Sequence, residues 1–386
     1  MMRRDTAPHR RSYHSTPYPN VSIAGEGIRA LVFTPDAQRG YYRSSRYDWG
    51  SMIGHIQLQV PNSNRRLTLC TDVQPRPHRP QVTDHVLGLA AEFGCGVRGA
   101  ICALDKRQQT LLATNGIFGY GDAGKGGAFL KLGVGKLARP DNREMRQYNF
   151  TWPYRLAGST AWQMAVTPSD AAMSIPNGVE LTHAASHKRW GWKMRRRVAT
   201  CGAGRRPALC VELALTNTGE HALRTPYASG GAFNLAAGPA TGPRFAVTFS
   251  VPGATRRYDH STGPLNWSVP LEQIADLRLR EHAGQSRIVV KRTLAEHEHA
   301  STNFDVTNTT WDGRYAVTLP AAPGWDLVVR HSIWRDATTM RGGWYGFNVR
   351  ISRRAVSARP YLLLDLKPGE TAKLSHQYEF EWRAAR

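Results

Sequence analysis

The stretch from Leu209 to Asn217 reads LCVELALTN, and its side chains alternate strictly between two kinds. Positions 209, 211, 213 and 215 are large and apolar, whereas the positions between them are smaller or polar. Successive side chains of an extended chain point to opposite faces, so this period of two is typical of a β-strand with one face in a core. The stretch therefore predicts one strand of a sheet that covers a second layer.

The rest of the chain repeats this texture of short β-branched and aromatic segments separated by Gly, Pro, Asn and Asp, which favours many strands joined by turns. Further strands are predicted at Ile28–Phe33, Met52–Val60, Leu67–Thr71, Phe129–Val134, Val179–His183, Trp192–Ala199, Arg244–Ser250, Ser286–Lys291, Ala316–Leu319, Leu327–Trp334 and Tyr361–Leu366. One short helix is predicted at Thr83–Phe93. No fixed-period repeat or compositional break divides the chain, so we expect one all-β sandwich domain from Val21 to residue 386.

The composition is that of a basic globular protein. Lys and Arg number 51 against 29 acidic residues, a formal net charge of +22, while a hydrophobic fraction of 41% excludes a disordered chain. Such a charge favours an anionic partner, which could be nucleic acid, an acidic glycan, a membrane surface or an acidic protein assembly. No run approaches the roughly 20 apolar residues of a membrane-spanning helix, so we expect a soluble protein without membrane insertion.

The N-terminal segment, residues 1–20, is Arg-rich and lacks the apolar stretch of a secretory signal. We interpret it as a flexible basic arm, with an organelle transit peptide as the alternative to a plain intracellular location. The five cysteines show no zinc-type spacing, so we expect reduced thiols and no metal or other cofactor. Cys201 and Cys210 flank a basic turn, and a disulfide across that hairpin is the alternative.

One long string resembles a known family. Residues Pro35–Gly50 read PDAQRGYYRSSRYDWG, which resembles the PDA..GYYR.TRFDWSG string of uncharacterised proteins in the galactose mutarotase-like superfamily. Four further segments follow in that family's order: AEF at 91–93, GYGDAGK through LKLGVG at 119–135, LTNTG at 215–219 and LKPGET at 366–371. Independently, FNLAAG at 233–238 resembles the YFNLAG stretch that follows the histidine motif of aldose 1-epimerases. The resemblance implies a β-supersandwich with a sugar site in a cleft on its concave face.

Two positions depart from what the resemblance implies. Aldose 1-epimerases place a histidine that protonates the ring oxygen in an NHSYF-like string, and here the matching string is SGGAF, with Gly230 at the histidine position. Their catalytic glutamate lies in a PEP-like string near the C terminus, and here SARPY puts Arg359 at that position. Glycine can neither give nor take a proton, and arginine stays charged, so both catalytic groups are expected to be absent.

The same resemblance points to substrate-binding candidates in the matched string. Tyr42, Arg43, Arg46, Asp48 and Trp49 are residue types that bind sugars, since guanidinium forks and carboxylates hold hydroxyl pairs and aromatic faces cover C–H surfaces. The alternative is a structural ion pair at a chain corner with Trp49 in the core. Arg359 is a further binding candidate, because an arginine at the base of a sugar site favours a carboxylate or sulfate.

Three other residues could replace the missing catalytic groups. Glu92 is the remaining carboxylate in a matched segment, with a surface position at a helix end as its alternative. His183 and His187 lie in a segment that resembles a family hairpin, and either could supply an acid if it reached the cleft. Structural histidines are the alternative.

A cluster of basic and aromatic residues, Lys188–Arg197, reads KRWGWKMRRR. This composition suits phosphate contacts and base stacking, but strand alternation separates its arginines between two faces, so we favour a solvated edge strand over a nucleic-acid site.

Three functions remain open from the sequence. The favoured one is a binding protein or divergent enzyme for an anionic sugar or glycan, with ordinary 1-epimerase chemistry lost. The second is a non-catalytic subunit of an organelle assembly, docked through its basic surface. The third is an active epimerase with a relocated acid/base pair, which requires Glu92 to meet His183 or His187.

Overall fold

The fold is that of a computed structural model, which describes residues 17–70, 88–94, 116–141, 148, 152–158, 161–167, 175–202, 206–235, 241–250, 255–259, 269–278, 285–295, 298–306, 311–336 and 343–385. Residues 1–16 of the predicted arm and 83–87 of the predicted helix lie outside these ranges. Two large antiparallel sheets and one small sheet make up nearly all of the regular structure in this part of the chain.

The first sheet has ten strands among the described residues and is antiparallel throughout. In spatial order they are β1 (Asn20–Gly25), β2 (Ile28–Phe33), β3 (Ile53–Gln59), β5 (Gly88–Phe93), β13 (Leu223–Phe233), β22 (Ala355–Leu366), β21 (Trp344–Ser352), β18 (His299–Asp305) and β15 (Thr255–Asp259), with β4 (Arg66–Leu69) paired to β3. The central strands β5, β13 and β22 carry most of the residues discussed below.

The second sheet also has ten strands within the described ranges, again all antiparallel. Its order is β16 (Ala275–Arg278), β17 (Ser286–Val290), β14 (Ala246–Phe249), β19 (Tyr315–Ala322), β20 (Trp325–Arg335), β23 (Thr371–Ala384), β12 (Ala208–Asn217), β11 (Trp190–Thr200), β10 (Gly178–His187) and β9 (Trp162–Thr167).

Smaller elements complete the described part. Strands β6 (Ile117–Phe118), β7 (Ala128–Lys131) and β8 (Gly135–Ala138) form the small sheet, a 3-10 turn spans Trp49–Ser51, and a single-turn helix α1 spans Leu271–Ile274. In the described residues no helix is long and apolar enough to cross a membrane.

The two large sheets pack face to face around one main hydrophobic core. Ile23 and Phe233 of the first sheet lie in the same buried cluster as Val179 and Val247 of the second. In β12 the apolar positions 209, 211, 213 and 215 are all buried, whereas the intervening residues are partly or fully exposed. The predicted all-β sandwich is therefore confirmed, and a strand is present in each predicted range. Residues 132–134 nevertheless form the turn between β7 and β8, and Thr71 lies outside the described residues.

The helix predicted to end at Phe93 is wrong over its described part. Residues Gly88–Phe93 form β5, a fully buried strand paired with β13 and, at Leu89, with β3. Small residues such as Ala90 and Ala91 fit a helix by propensity, but in a central strand they let covering layers approach both faces. Strand pairing and burial therefore outweigh helix propensity in Gly88–Phe93.

The expectation of reduced thiols is wrong for one pair. Cys201 and Cys210 form a disulfide across the turn between β11 and β12, and Cys70 is a buried free thiol. The hairpin brings the two residues to a Cα separation of 5.8 Å, inside the range that a disulfide requires.

Candidate functional site

The first sheet has one face turned away from the second sheet. Tyr227 and Ser229 of β13 point toward the second sheet, where their hydroxyls lie 3.0 Å from His376 Nε2 and 3.0 Å from the Tyr378 hydroxyl. Alternation along the strand therefore turns Ala228 and Gly230 to the opposite side. We call that side of the first sheet the polar face.

Strand register brings the matched positions together on the polar face. Ala228 lies opposite both Glu92 and Tyr361, and Gly231 lies opposite Ala358, so Gly230 lies opposite Arg359. A β-carbon placed on Gly230 would stand 2.7 Å from Arg359 Cγ. The positions that correspond by resemblance to the catalytic histidine and glutamate are thus side by side.

Glu92 is a buried carboxylate with three polar neighbours. Arg46 Nε donates to its Oε2 at 2.6 Å, the Tyr361 hydroxyl donates to its Oε1 at 2.9 Å, and Arg359 Nη1 lies 3.9 Å away. Burial opposes ionisation, but the two guanidinium groups outweigh it and lower the pKa of Glu92. Glu92 is therefore an ionised strand residue and not the helix-end surface residue of the alternative interpretation.

Arg359 is only 7% exposed and has an incomplete set of partners. Its Nη1 donates to the Tyr47 hydroxyl at 2.9 Å, and its guanidinium carbon lies 5.0 Å from the centre of the Tyr47 ring. Within the described part of the chain, its buried Nε has no hydrogen-bond partner. A guanidinium in this state has an N–H group left that could donate to a further anionic or carbonyl oxygen.

The polar face continues beyond Arg359 onto two further strands, whose residues the sequence did not point to. Asn348 of β21 lies opposite Arg359, and Asn303 of β18 lies opposite Asn348. Asn348 Nδ2 donates to Ser301 Oγ at 2.9 Å and to Asn303 Oδ1 at 2.8 Å. Together with Glu92 and Arg359, these amides give the polar face donors and acceptors on four of five adjacent strands, β13 being the exception.

The loop before the 3-10 turn brings Arg46, one of the predicted binding residues, to Glu92. Tyr47 of the same loop forms an isolated β-bridge with Glu92. The Tyr42 hydroxyl accepts the backbone N–H groups of Arg46 and Tyr47 at 3.1 and 3.2 Å, and so holds the loop in place. Arg46 is therefore the loop residue best placed to act at the polar face.

Other loop residues have contacts of a structural kind. Arg43 donates to the backbone carbonyl of Gln38, and Trp49, which is buried, donates to the carbonyl of Ser44 at 2.8 Å. Asp48 caps the 3-10 turn by accepting the N–H of Gly50 at 3.0 Å and forms a fully buried ion pair with Arg196. These contacts fit the structural interpretation of Arg43, Asp48 and Trp49.

The Asp48–Arg196 pair begins a buried polar chain between the sheets. Arg196 interacts with the Tyr227 hydroxyl, which contacts His376 Nε2, and His376 Nδ1 lies 3.2 Å from His331 Nε2. Burial lowers the pKa of both histidines, to about 3 for His331, so both are neutral. This chain ties strands of both sheets together beneath the polar face.

The two predicted histidines lie away from the contacts of Glu92. The His183 ring stacks on Trp162 at 4.5 Å and meets the edge of Trp192, and burial lowers its pKa to about 4. His187 lies at the end of β10, where partial burial and then Lys136 and Lys188 lower its pKa. In the described part of the chain, neither histidine forms a hydrogen bond or an ion pair with Glu92, whose side-chain partners of these kinds are Arg46, Arg359 and Tyr361.

Metal ligands are not grouped in the described part of the chain. No set of three His, Cys, Asp or Glu side chains there could hold an ion together.

Comparisons with known proteins gave structural similarities alone. No known family profile matches the chain, and no curated protein matches its sequence. The chain is similar to solved structures of the aldose 1-epimerase type.

A putative aldose 1-epimerase from Escherichia coli K12 shares 12% identity at a TM-score of 0.46, over 94% of this chain and 99% of that one. A galactose mutarotase-like protein from Clostridium acetobutylicum shares 11% sequence identity at a TM-score of 0.46, over 94% of this chain and 95% of that one. An aldose epimerase homologue from C. elegans shares 9% sequence identity at a TM-score of 0.41, over 96% of this chain and 100% of that one. At these values the similarities say nothing about the function of this chain.

Proposed function

We propose that this protein binds an anionic sugar on the polar face and does not catalyse ordinary aldose 1-epimerisation. The observation that carries the proposal is the contact between Gly230 and Arg359, the two positions matched to the epimerase acid and base. Their adjacency supports the sequence match, because a misplaced match would have no reason to bring two residues 129 positions apart into contact.

The side chains at these positions cannot perform the reaction. Opening a cyclic sugar requires one group to accept the anomeric hydroxyl proton and another to protonate the ring oxygen. Gly230 has no side chain, and burial opposes but does not overcome the neighbours that raise the pKa of Arg359. Glu92 is ionised and accepts hydrogen bonds from Arg46 and Tyr361, and the neighbouring guanidinium groups that lower its pKa make it a weak base.

The charge of the site favours an anion. Glu92 is one carboxylate between two guanidinium groups, those of Arg46 and Arg359, and the buried Nε of Arg359 has no acceptor in the described residues. A ligand carboxylate or sulfate that reached the Arg359 guanidinium would accept charged hydrogen bonds from it and balance the charge. The amides of Asn348 and Asn303 next to it are suited to ring hydroxyl groups.

Binding measurements on a matched pair of sugars test this proposal. Galacturonic acid and galactose differ mainly in one carboxylate, so calorimetric titration should show binding of the acid that is at least about tenfold tighter, as a charged hydrogen bond implies. Arg359→Met should remove this preference while galactose affinity changes little.

The control variant is Arg314→Met, since Arg314 is an exposed arginine paired with Asp312 at the surface. It should leave both affinities unchanged. Equal affinities for the two sugars in the unmodified protein, or an unchanged preference in a folded Arg359→Met variant, would contradict the proposal.

A further inference from the structure

The outer face of the second sheet carries an exposed basic surface that the proposed sugar site does not use. In β11 the side chains alternate, so that Arg196 is buried in the ion pair with Asp48 while Lys193, Arg195 and Arg197 are exposed. Alternation divides this cluster as expected, and three cations remain in line on one face. The expectation of an edge strand is wrong, because β11 pairs with β10 on one side and with β12 on the other. Residues two apart on a strand are about 7 Å apart, so the row extends about 14 Å.

Two further exposed residues extend this row across the sheet. Arg195 lies opposite Ala214, which lies opposite Lys373, and Arg197 lies in a row that runs through Glu212 and Ser375 to Trp334. The Trp334 side chain is 48% exposed, one of the largest exposed apolar side chains in the described residues. We name Lys193, Arg195, Arg197, Lys373 and Trp334 the basic strip.

The floor between these side chains consists mostly of small groups, apart from the exposed Glu212 in the row between Arg197 and Trp334. Ala214 lies between Arg195 and Lys373, and the hydroxyls of Thr216 and Thr371 bond to each other at 2.8 Å in the next row. The four strands β11, β12, β23 and β20 therefore present an open surface with cations on one side and an indole on the other.

Two carboxylates lie among the four cations of the basic strip, because Glu180 and Glu212 are the cross-strand neighbours of Arg197 on either side, and a net positive charge remains. Glu180 lies 3.6 Å from Arg195, whose side chain is still 59% exposed, and Glu212 is exposed between β11 and β23. For Lys193, Arg197 and Lys373 the described part of the chain provides no ion pair. An excess of exposed cations along a row on one face of a sheet attracts an extended anion.

We propose that the basic strip binds single-stranded nucleic acid. Open sheets that combine cations with an exposed aromatic ring hold unpaired bases by stacking while the cations follow the backbone phosphates. A duplex fits less well, because its bases are stacked on each other and a flat sheet cannot enter a groove. The net charge of +22 supports a polyanionic partner for the molecule as a whole.

Fluorescence anisotropy with a labelled twelve-nucleotide oligo(U) tests the proposal on the full-length protein. Trp334→Ala should weaken binding about tenfold, because one base loses its stacking partner. The double variant Arg195→Ala, Lys373→Ala should weaken binding and lower the slope of log affinity against log salt by about 1.4, as expected when two phosphate contacts are lost.

Two arginines at the far edge of the same sheet provide a charge-matched control. Arg278 and Arg287 are exposed cross-strand partners on β16 and β17, and replacing both with alanine should leave oligo(U) affinity within about twofold. Equal losses in both double variants would mean that net charge alone attracts the oligonucleotide and would overturn the proposal. So would tighter binding of heparin that is insensitive to Trp334→Ala, because the partner would then be an acidic polysaccharide.

Discussion

Arg359 Cγ lies 2.7 Å from the point where a β-carbon on Gly230 would stand, and the carbonyl oxygen of Ala358 lies 2.2 Å from that same point. Gly230 therefore has no room for a side chain while the backbone of β22 keeps its place. The tighter of the two contacts is with a backbone carbonyl, so this arrangement of the strands excludes an acid at position 230 whatever the side chain at 359.

Gly230→Ala should destabilise the protein by about 1–3 kcal/mol, since the methyl group meets a backbone carbonyl that cannot move without disturbing β22. Urea unfolding followed by tryptophan fluorescence measures the change. Gly343→Ala is the control, because a β-carbon there meets no atom within 4 Å. Equal stability of the two variants would show that the strands separate easily at position 230.

Arg196→Met should cost about 3–5 kcal/mol, because it leaves the fully buried carboxylate of Asp48 without its ion-pair partner. Asp48→Asn, Arg196→Met together should recover part of that loss, since no buried charge is then left alone. Unfolding free energies of the single and double variants measure the coupling. Additive losses would contradict the direct pairing of the two side chains.

Glu92→Gln should act in opposite directions on stability and on affinity. The protein should lose about 3–5 kcal/mol of unfolding free energy, because Arg46 and Arg359 lose their shared carboxylate. Galacturonate should bind several-fold more tightly, since it no longer competes with Glu92 for the guanidinium groups. Calorimetry at a temperature where the variant is folded provides both values, and weaker galacturonate binding would argue that Glu92 contacts the sugar directly.

The buried histidines predict a loss of stability in acid. His331 has its pKa lowered to about 3 from an ordinary value of 6.5, so the unfolded chain binds a proton between these values while the folded chain does not. This proton binding destabilises the folded protein only below pH 6.5. The loss of unfolding free energy grows as the pH falls, by at most about 1.4 kcal/mol per pH unit for each such histidine.

His331→Gln should therefore flatten the fall in unfolding free energy between pH 6 and pH 4.5 by up to that amount. An equally steep slope in His331→Gln would mean that His331 is protonated in the folded protein.

Much of the sandwich could be predicted because side-chain alternation is a local property. Strand β12 shows it in nine residues, and the structure buries the face that the pattern indicates. Strand β13 was not predicted, because its sequence LRTPYASGGAF places small residues on the polar face and polar groups between the sheets. Its identity as a strand comes from β5 and β22 on either side, which no local pattern contains.

The polar face illustrates the same limit. Arg46, Glu92 and Arg359 were singled out because they lie in segments with a family resemblance, and the structure brings these three together. Asn348 and Asn303 lie in segments without such a resemblance, and only strand register places them beside Arg359. For Arg196, alternation predicted a face opposite to its neighbours but could not predict Asp48, 148 positions away, as its partner.

Proton NMR of anomeric exchange separates binding from catalysis, with galactose, glucose and galacturonic acid at low buffer concentration, each with and without the protein. We expect the galacturonic acid resonances to broaden through binding, while no sugar exchanges its anomers faster than in buffer. Accelerated exchange of any of the three sugars would contradict this expectation, because an acid/base pair would then have to operate despite the glycine at 230 and the arginine at 359.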